Sequence, residues 1–135
     1  MATFKVLRDI TIVNSRIQTP VQRDFGKQYS LLATGEGLEQ VGNVAKDGSI
    51  WVNSNAEYPN GDQIAPTPII DRAKRPITTE LGEGSQVELA FKVVKTSKGE
   101  FYNLAAIKVM KYVKPFSVFD VFDAEEDDDE VLDAF

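Results

Sequence analysis

Hydrophobic and polar residues alternate most regularly in the second half of the chain. In SQVELAFKVVKT, residues 85–96, Val87, Leu89, Phe91 and Val93 alternate with Glu88, Ala90, Lys92 and Val94. A period of two with one apolar set predicts a strand with a buried face and a wetter face. FYNLAAIKVMKYV, residues 101–113, follows across Ser97-Lys98-Gly99-Glu100, so the pair reads as a hairpin closed by a glycine-containing turn. A turn at Lys98-Gly99 sets Lys92 opposite Ala105 and Thr96 opposite Phe101. Tyr102, Leu104, Ala106 and Met110 then share the buried face with Leu89 and Phe91. The alternation falters near Lys108, which predicts a bulge there.

The first half reads less regularly. FKVLRDITIV, residues 4–13, is a strand bounded by Asn14-Ser15. Ile17 to Arg23 continues it after a bend, with Pro20 at an edge or out of the ladder. Gln28 to Ala33 is a second strand with Tyr29 and Leu31 on one face. Leu38, Val41, Gly42 and Ala45 fall at i, i+3, i+4 and i+7, which predicts a short amphipathic helix within Thr34–Lys46, capped by Thr34 and weakened by Gly37 and Gly42. Asp47-Gly48 is a turn, and SIWVN at 49–53 is a short strand with Ile50 and Val52 inward and Trp51 outward. Residues 54–68 form a long connection with three prolines. Small sandwiches and Greek-key barrels both fit four to six short strands with one short helix. The five-stranded OB barrel is the expected fold: an all-β domain of small helix content, with a concave basic face.

Charge divides the chain. Fifteen Lys and Arg stand against 21 Asp and Glu, a net of −6. Nine of the acids lie in Asp120–Phe135, DVFDAEEDDDEVLDAF, leaving twelve, so residues 1–119 carry +3. Such a stretch cannot bury enough apolar surface to offset the entropy of ordering it, so it is expected to be disordered. Two units follow: residues 1–117 as the OB-type domain and residues 118–135 as a flexible acidic tail. Solubility alone explains acids at a chain end. Val131, Leu132 and Phe135 add what a docking tail needs: a ring for a pocket, beside the carboxylates of Asp127, Asp128, Asp129, Glu130 and Asp133 for cations. Between Arg72 and Lys114 nine cations face four anions. A basic body tethered to a polyanion points to a nucleic-acid partner, with the tail as its internal stand-in.

Histidine and cysteine are absent. That removes Ser-His and Cys-His nucleophiles, the usual zinc sites and disulfides. Neither phosphate-loop pattern occurs; Gly35-Glu36-Gly37 is read as a turn. No catalytic residue, metal or cofactor is expected. A carboxylate-metal nuclease drawing on Asp9, Asp24 or Asp71 is the enzymatic rival, without a spaced acidic motif to support it. No apolar run approaches the roughly 20 residues that span a bilayer, and the N-terminus lacks the build of a signal peptide, so a cytoplasmic protein is expected.

The candidate binding residues each have a plainer alternative. Trp51, the only tryptophan, is either a core or edge filler or a platform for stacked bases. Tyr58 in the long connection is a lid or a stacking ring. Arg72, Lys74 and Arg75 are a solvated loop or phosphate contacts. Lys92, Lys95 and Lys98 trace a line to the hairpin turn and either protect a sheet edge or neutralise phosphates. Phe101 and Tyr102 cannot both be buried in a regular strand. The exposed one is expected to be Phe101, beside Lys92.

Asp71-Arg72-Ala73-Lys74-Arg75-Pro76, the hairpin region from Gly82 to Val113 and the acidic tail through Phe135 together resemble the single-stranded DNA-binding proteins of tailed bacteriophages. The resemblance covers roughly the last half of the chain. It implies an OB fold and sequence-tolerant binding of single-stranded DNA. It also implies tail contacts with phage DNA polymerase, helicase-primase or recombination proteins in an infected bacterial cell. Bacterial counterparts end in Pro-Phe, whereas this chain ends Ala134-Phe135, so phage-encoded partners are expected. A homodimer is allowed. The competing reading is a non-enzymatic phage assembly or protein-interaction module with a solubilising tail.

Overall fold

A computed structural model describes residues 3–24 and 26–116. The tail residues Asp127, Asp128, Asp129, Glu130, Asp133 and Phe135 lie outside the described residues. Seven strands form one sheet: β1 (Thr3–Arg23), β2 (Gly26–Thr34), β3 (Asn43–Val44), β4 (Ile50–Asn55), β5 (Ile69–Ile70), β6 (Gln86–Thr96) and β7 (Gly99–Lys111). Their order is β3-β4-β2-β1-β6-β7-β5. Without the two-residue strands β3 and β5, this is the antiparallel Greek-key order of a five-stranded, partly open OB barrel. No helix among the described residues is long and apolar enough to cross a membrane.

The expected first strand and its continuation are one strand, β1, which serves both halves of the barrel. Thr3–Thr11 pairs with β6, and Thr11–Arg23 pairs with β2. Between Leu7 and Ile10 the register slips by one residue, and Asp9 adopts φ 58° there. A bulge resets the two-residue phase, so Leu7, Ile10 and Ile12 all reach the core. A further shift lies between Ile12 and Asn14, and a third break, between Arg16 and Val21, holds Pro20 outside the ladder, as its missing N–H requires. The Glu80 carboxylate satisfies the looped-out backbone. It accepts from Ile17 N at 2.7 Å, Gln18 N at 3.0 Å, Thr19 N at 3.2 Å and Ser15 Oγ at 2.6 Å.

The segment expected to be helical makes only a 3₁₀ turn at Leu38–Gln40, and Thr34 ends β2 instead of capping a helix. Two glycines explain this. Gly37 precedes the turn at φ 90°. A Cβ at Gly42 would fall 2.3 Å from the Trp51 carbonyl oxygen, because the chain presses there onto β4. Leu38 is fully buried from this turn and Val41 packs against the core, so apolar positions that mimic a helical period serve a turn instead.

The hairpin is present in a different register. The two turn residues are Ser97 and Lys98, with Thr96 opposite Gly99, Lys92 opposite Asn103 and Val94 opposite Phe101. A shift of two residues keeps every side chain on its expected face up to Leu104. Past Leu104 the ladder slips at Ala105, and again at Met110, so the bulges flank Lys108 instead of falling on it. Ile107 and Val109 take the buried positions, and Ala106 and Met110 turn outward, contrary to the alternation read from the sequence. Phe91, Leu89 and Val87 of β6 complete the core with Leu31, Ala33, Ile50 and Val52.

Candidate nucleic-acid interface

β4 and β7 are not hydrogen-bonded neighbours. Their facing edges and the Gln40–Asn43 segment enclose a cleft of about 330 Å³. β4 contributes Trp51 and Asn53; β7 contributes Glu100, Phe101, Tyr102 and Asn103. Trp51 is there because Ile50 and Val52 are buried on the opposite face of a strand with period two. Three of the rings singled out in the sequence therefore line one cleft.

The rings differ in setting. Phe101 is exposed and half of its surface is open to solvent, at 51%. Tyr102 packs partly against the core, and its hydroxyl donates to Glu100 Oε2 at 3.1 Å. That hydrogen bond, with burial and the carboxylate charge, raises the phenol pKa above its ordinary value and keeps it neutral. The Lys5 ammonium lies 5.3 Å from the Tyr102 ring centroid and donates to Gln40 Oε1 at 2.6 Å. Lys5, Asn53, Asn103 and Gln40 were not singled out in the sequence. Asn53 was within reach of that reading, since it lies two residues from Trp51 on the same strand face.

Along β4 the outward face continues from Trp51 through Asn53 to Asn55, beside Leu32, Ser30 and Gln28 of β2. Asn55 accepts from Gln28 Nε2 at 3.3 Å and lines a second cleft of about 310 Å³ with Lys27 and Tyr58. Tyr58 is exposed there, in a cleft that Arg72, Lys74 and Arg75 do not line.

The cations separate into groups. Lys92 lies on the outward face of β6, between Phe4 and Asn103 of the flanking strands. Lys95 lies on the opposite face, 3.9 Å from Glu100, and Lys98 is at the turn. They do not form the single line expected, because successive residues of a strand face opposite ways. The Asp71–Arg75 loop follows β5, which pairs with β7 at Ile107 and Lys108. Asp71 organises it, accepting from the Ala73 and Arg75 N–H groups at 2.8 and 2.9 Å and from Arg75 Nε at 2.9 Å. Arg75 is thus committed to Asp71, whereas Arg72 and Lys74 are exposed and make no ion pair with the described residues. Asp9 lies in the β1 bulge, Asp24 in the β1–β2 turn and Asp71 in this loop, so the three acids of the nuclease alternative belong to separate features. No group of three or more acids among the described residues is placed to hold a metal ion.

No family model matches the sequence, and no curated protein is similar to it at the sequence level. Solved structures are similar in fold. The gp2.5 single-stranded DNA-binding protein encoded by bacteriophage T7 superposes with a TM-score of 0.58 at 9% identity, covering 86% of this chain and 96% of its own. A C-terminal truncation of the single-stranded DNA-binding protein from bacteriophage Enc34 gives 0.53 at 13% identity, covering 84% and 88%. The Enc34 protein in complex with single-stranded DNA gives 0.50 at 12% identity, covering 84% and 89%. At these identities the likeness is one of fold.

Proposed function

We propose that this chain is a non-enzymatic, sequence-tolerant single-stranded DNA-binding protein of a phage, acting in DNA replication, recombination and repair. The observation that carries the reading is the cleft between β4 and β7, where Trp51, Phe101 and Tyr102 converge on an OB-type barrel. Bases stack on the rings, the amides of Asn53 and Asn103 adapt to any base edge, and Lys98, Arg72 and Lys74 neutralise phosphates. The fold neighbours include a protein solved with single-stranded DNA, which supports this partner.

The acidic stretch Asp120–Phe135 competes for the basic surface when DNA is absent. DNA displaces it, and it then recruits phage polymerase, helicase-primase or recombination proteins. The differential affinity comes from exchanging one polyanion for another. Anisotropy of a labelled oligo-dT tests both parts, with the full chain compared against one ending at Phe119. The reading expects tight, salt-sensitive binding of single strands, weaker binding of duplex, and tighter binding by the shortened chain. Equal affinity for duplex and single strand would overturn the assignment. Unchanged or lower affinity after shortening would overturn the competition.

A further inference from the structure

The outward face of the β1–β6–β7 sheet carries large apolar groups that the core does not use. Phe4 is 55% exposed and Val6 47% exposed. Both point away from the core, because Leu7, Leu89 and Phe91 occupy the inward positions of the same strands. Register places Phe4 beside Lys92, and Lys92 beside Asn103. The next row of the hairpin pairs Val94 with Phe101. One small area of sheet therefore presents two exposed rings, a lysine between the strands that bear them, and an amide.

We propose that this face is a second station for single-stranded nucleic acid, in which Phe4 stacks a base and Lys92 holds the adjoining phosphate. The inference rests on reading the β4–β7 cleft as the DNA site. Three observations select nucleic acid as the occupant. Phe101 and Asn103 belong to the cleft and to this face alike, so a strand leaving the cleft over Phe101 meets Lys92 and then Phe4. The rings are two strand spacings apart across the sheet and two residues apart along it, roughly 12 Å, a distance a single strand covers in a few nucleotides. The charge suits a polyanion: Lys92 is exposed and makes no ion pair with the described residues, while Glu88, further along the face, is bound by Arg8 at 2.7 Å. A cation beside rings on an open sheet recognises stacked bases without regard to sequence.

The test uses the full chain and two labelled oligo-dT probes, one of about five nucleotides, filling the cleft alone, and one of about twenty. Phe4→Ala is expected to leave the short probe unaffected and to weaken the long one at least about fivefold, the lower end of one stacked base. Lys92→Gln is expected to lower the salt dependence for the long probe only. Thermal melting checks that both variants fold, and Phe4 is exposed enough to be replaced. In the unsubstituted chain, photocrosslinking to 5-iodouracil within the long probe is expected to label the peptide containing Phe4.

If the unsubstituted chain binds both probes and Phe4→Ala changes neither affinity, the second station is overturned and the cleft reading stands. Crosslinks confined to the peptides of Trp51 and Phe101 would overturn it equally. A dimer that Phe4→Ala splits into monomers, with no dependence on probe length, would overturn it and assign the face to a second copy of the chain. If the unsubstituted chain binds neither probe, the cleft reading fails and the second station fails with it.

Discussion

Trp51 and Phe101 line the same cleft from β4 and β7, two strands that share no hydrogen bonds. Each ring is positioned by the strand that carries it: Trp51 by the burial of Ile50 and Val52, Phe101 by its pairing with Val94. The cleft they line is crossed by no ladder hydrogen bond between β4 and β7. A barrel sealed along this seam would offer no such opening.

Removing either ring should weaken DNA binding without unfolding the chain. Trp51→Ala and Phe101→Ala are each expected to cost about 1–3 kcal/mol of affinity for oligo-dT, because each removes one stacking surface. If one base is held between them, the double variant should lose less than the two single losses added together. Titration by anisotropy measures all three.

Phosphate contacts should show in the dependence on salt. Each cation that neutralises a phosphate of a single strand steepens the slope of log K against log salt by about 0.7. Lys92→Gln with Lys98→Gln should flatten it by about twice that, whereas Arg75→Gln should do little, since Arg75 is already held by Asp71. A slope unchanged in the double variant would remove these lysines from the interface.

Glu80 is expected to matter for stability. Glu80→Ala would strip the acceptor from the N–H groups of Ile17, Gln18 and Thr19 where β1 leaves the ladder. Part of that loss is recovered from water, so about 2–3 kcal/mol is expected. For a domain of this size that is a fall in melting temperature of roughly 10 °C. Glu80→Gln, which retains acceptor oxygen, should cost less.

The Asp71 loop gives a prediction in pH. Its carboxyl is held below its ordinary value of 3.8 by the Arg75 N–H foremost, with the Ala73 N–H and the Arg75 guanidinium adding to it against partial burial. A depressed pKa means the stabilisation is present above 3.8 and is lost as pH falls through the folded-state value. The amide shifts of Ala73 and Arg75 should titrate together with a midpoint below 3.8. A midpoint at or above that value would show that the loop is not organised by this carboxylate.

The hairpin, the outward Trp51 and the exposed Phe101 were legible in the sequence because alternation of period two survives a register error of two residues. A break in the β7 ladder was legible in the faltering alternation near Lys108, but its division into extra residues at Ala105 and Met110 was not, because those positions are fixed by what β6 places opposite. The helix reading failed at Leu38 and Val41 for a related reason: apolar residues spaced three apart serve a turn packed on the core as well as a helix that covers it. Lys5 could not be linked to Tyr102, since they stand 97 positions apart in the chain and only the β1–β6–β7 pairing brings them together. Glu80 was likewise hidden, being one acid among many until the looped-out backbone of β1 gives it donors.

The most direct test of the central claim is the fluorescence of Trp51, the only tryptophan of the chain, during titration with oligo-dT at low and high salt. Bases stacking in the β4–β7 cleft predict saturable quenching that weakens steeply as salt rises. Binding by a labelled oligo-dT with no change in Trp51 emission would contradict the claim by placing the DNA elsewhere on the molecule.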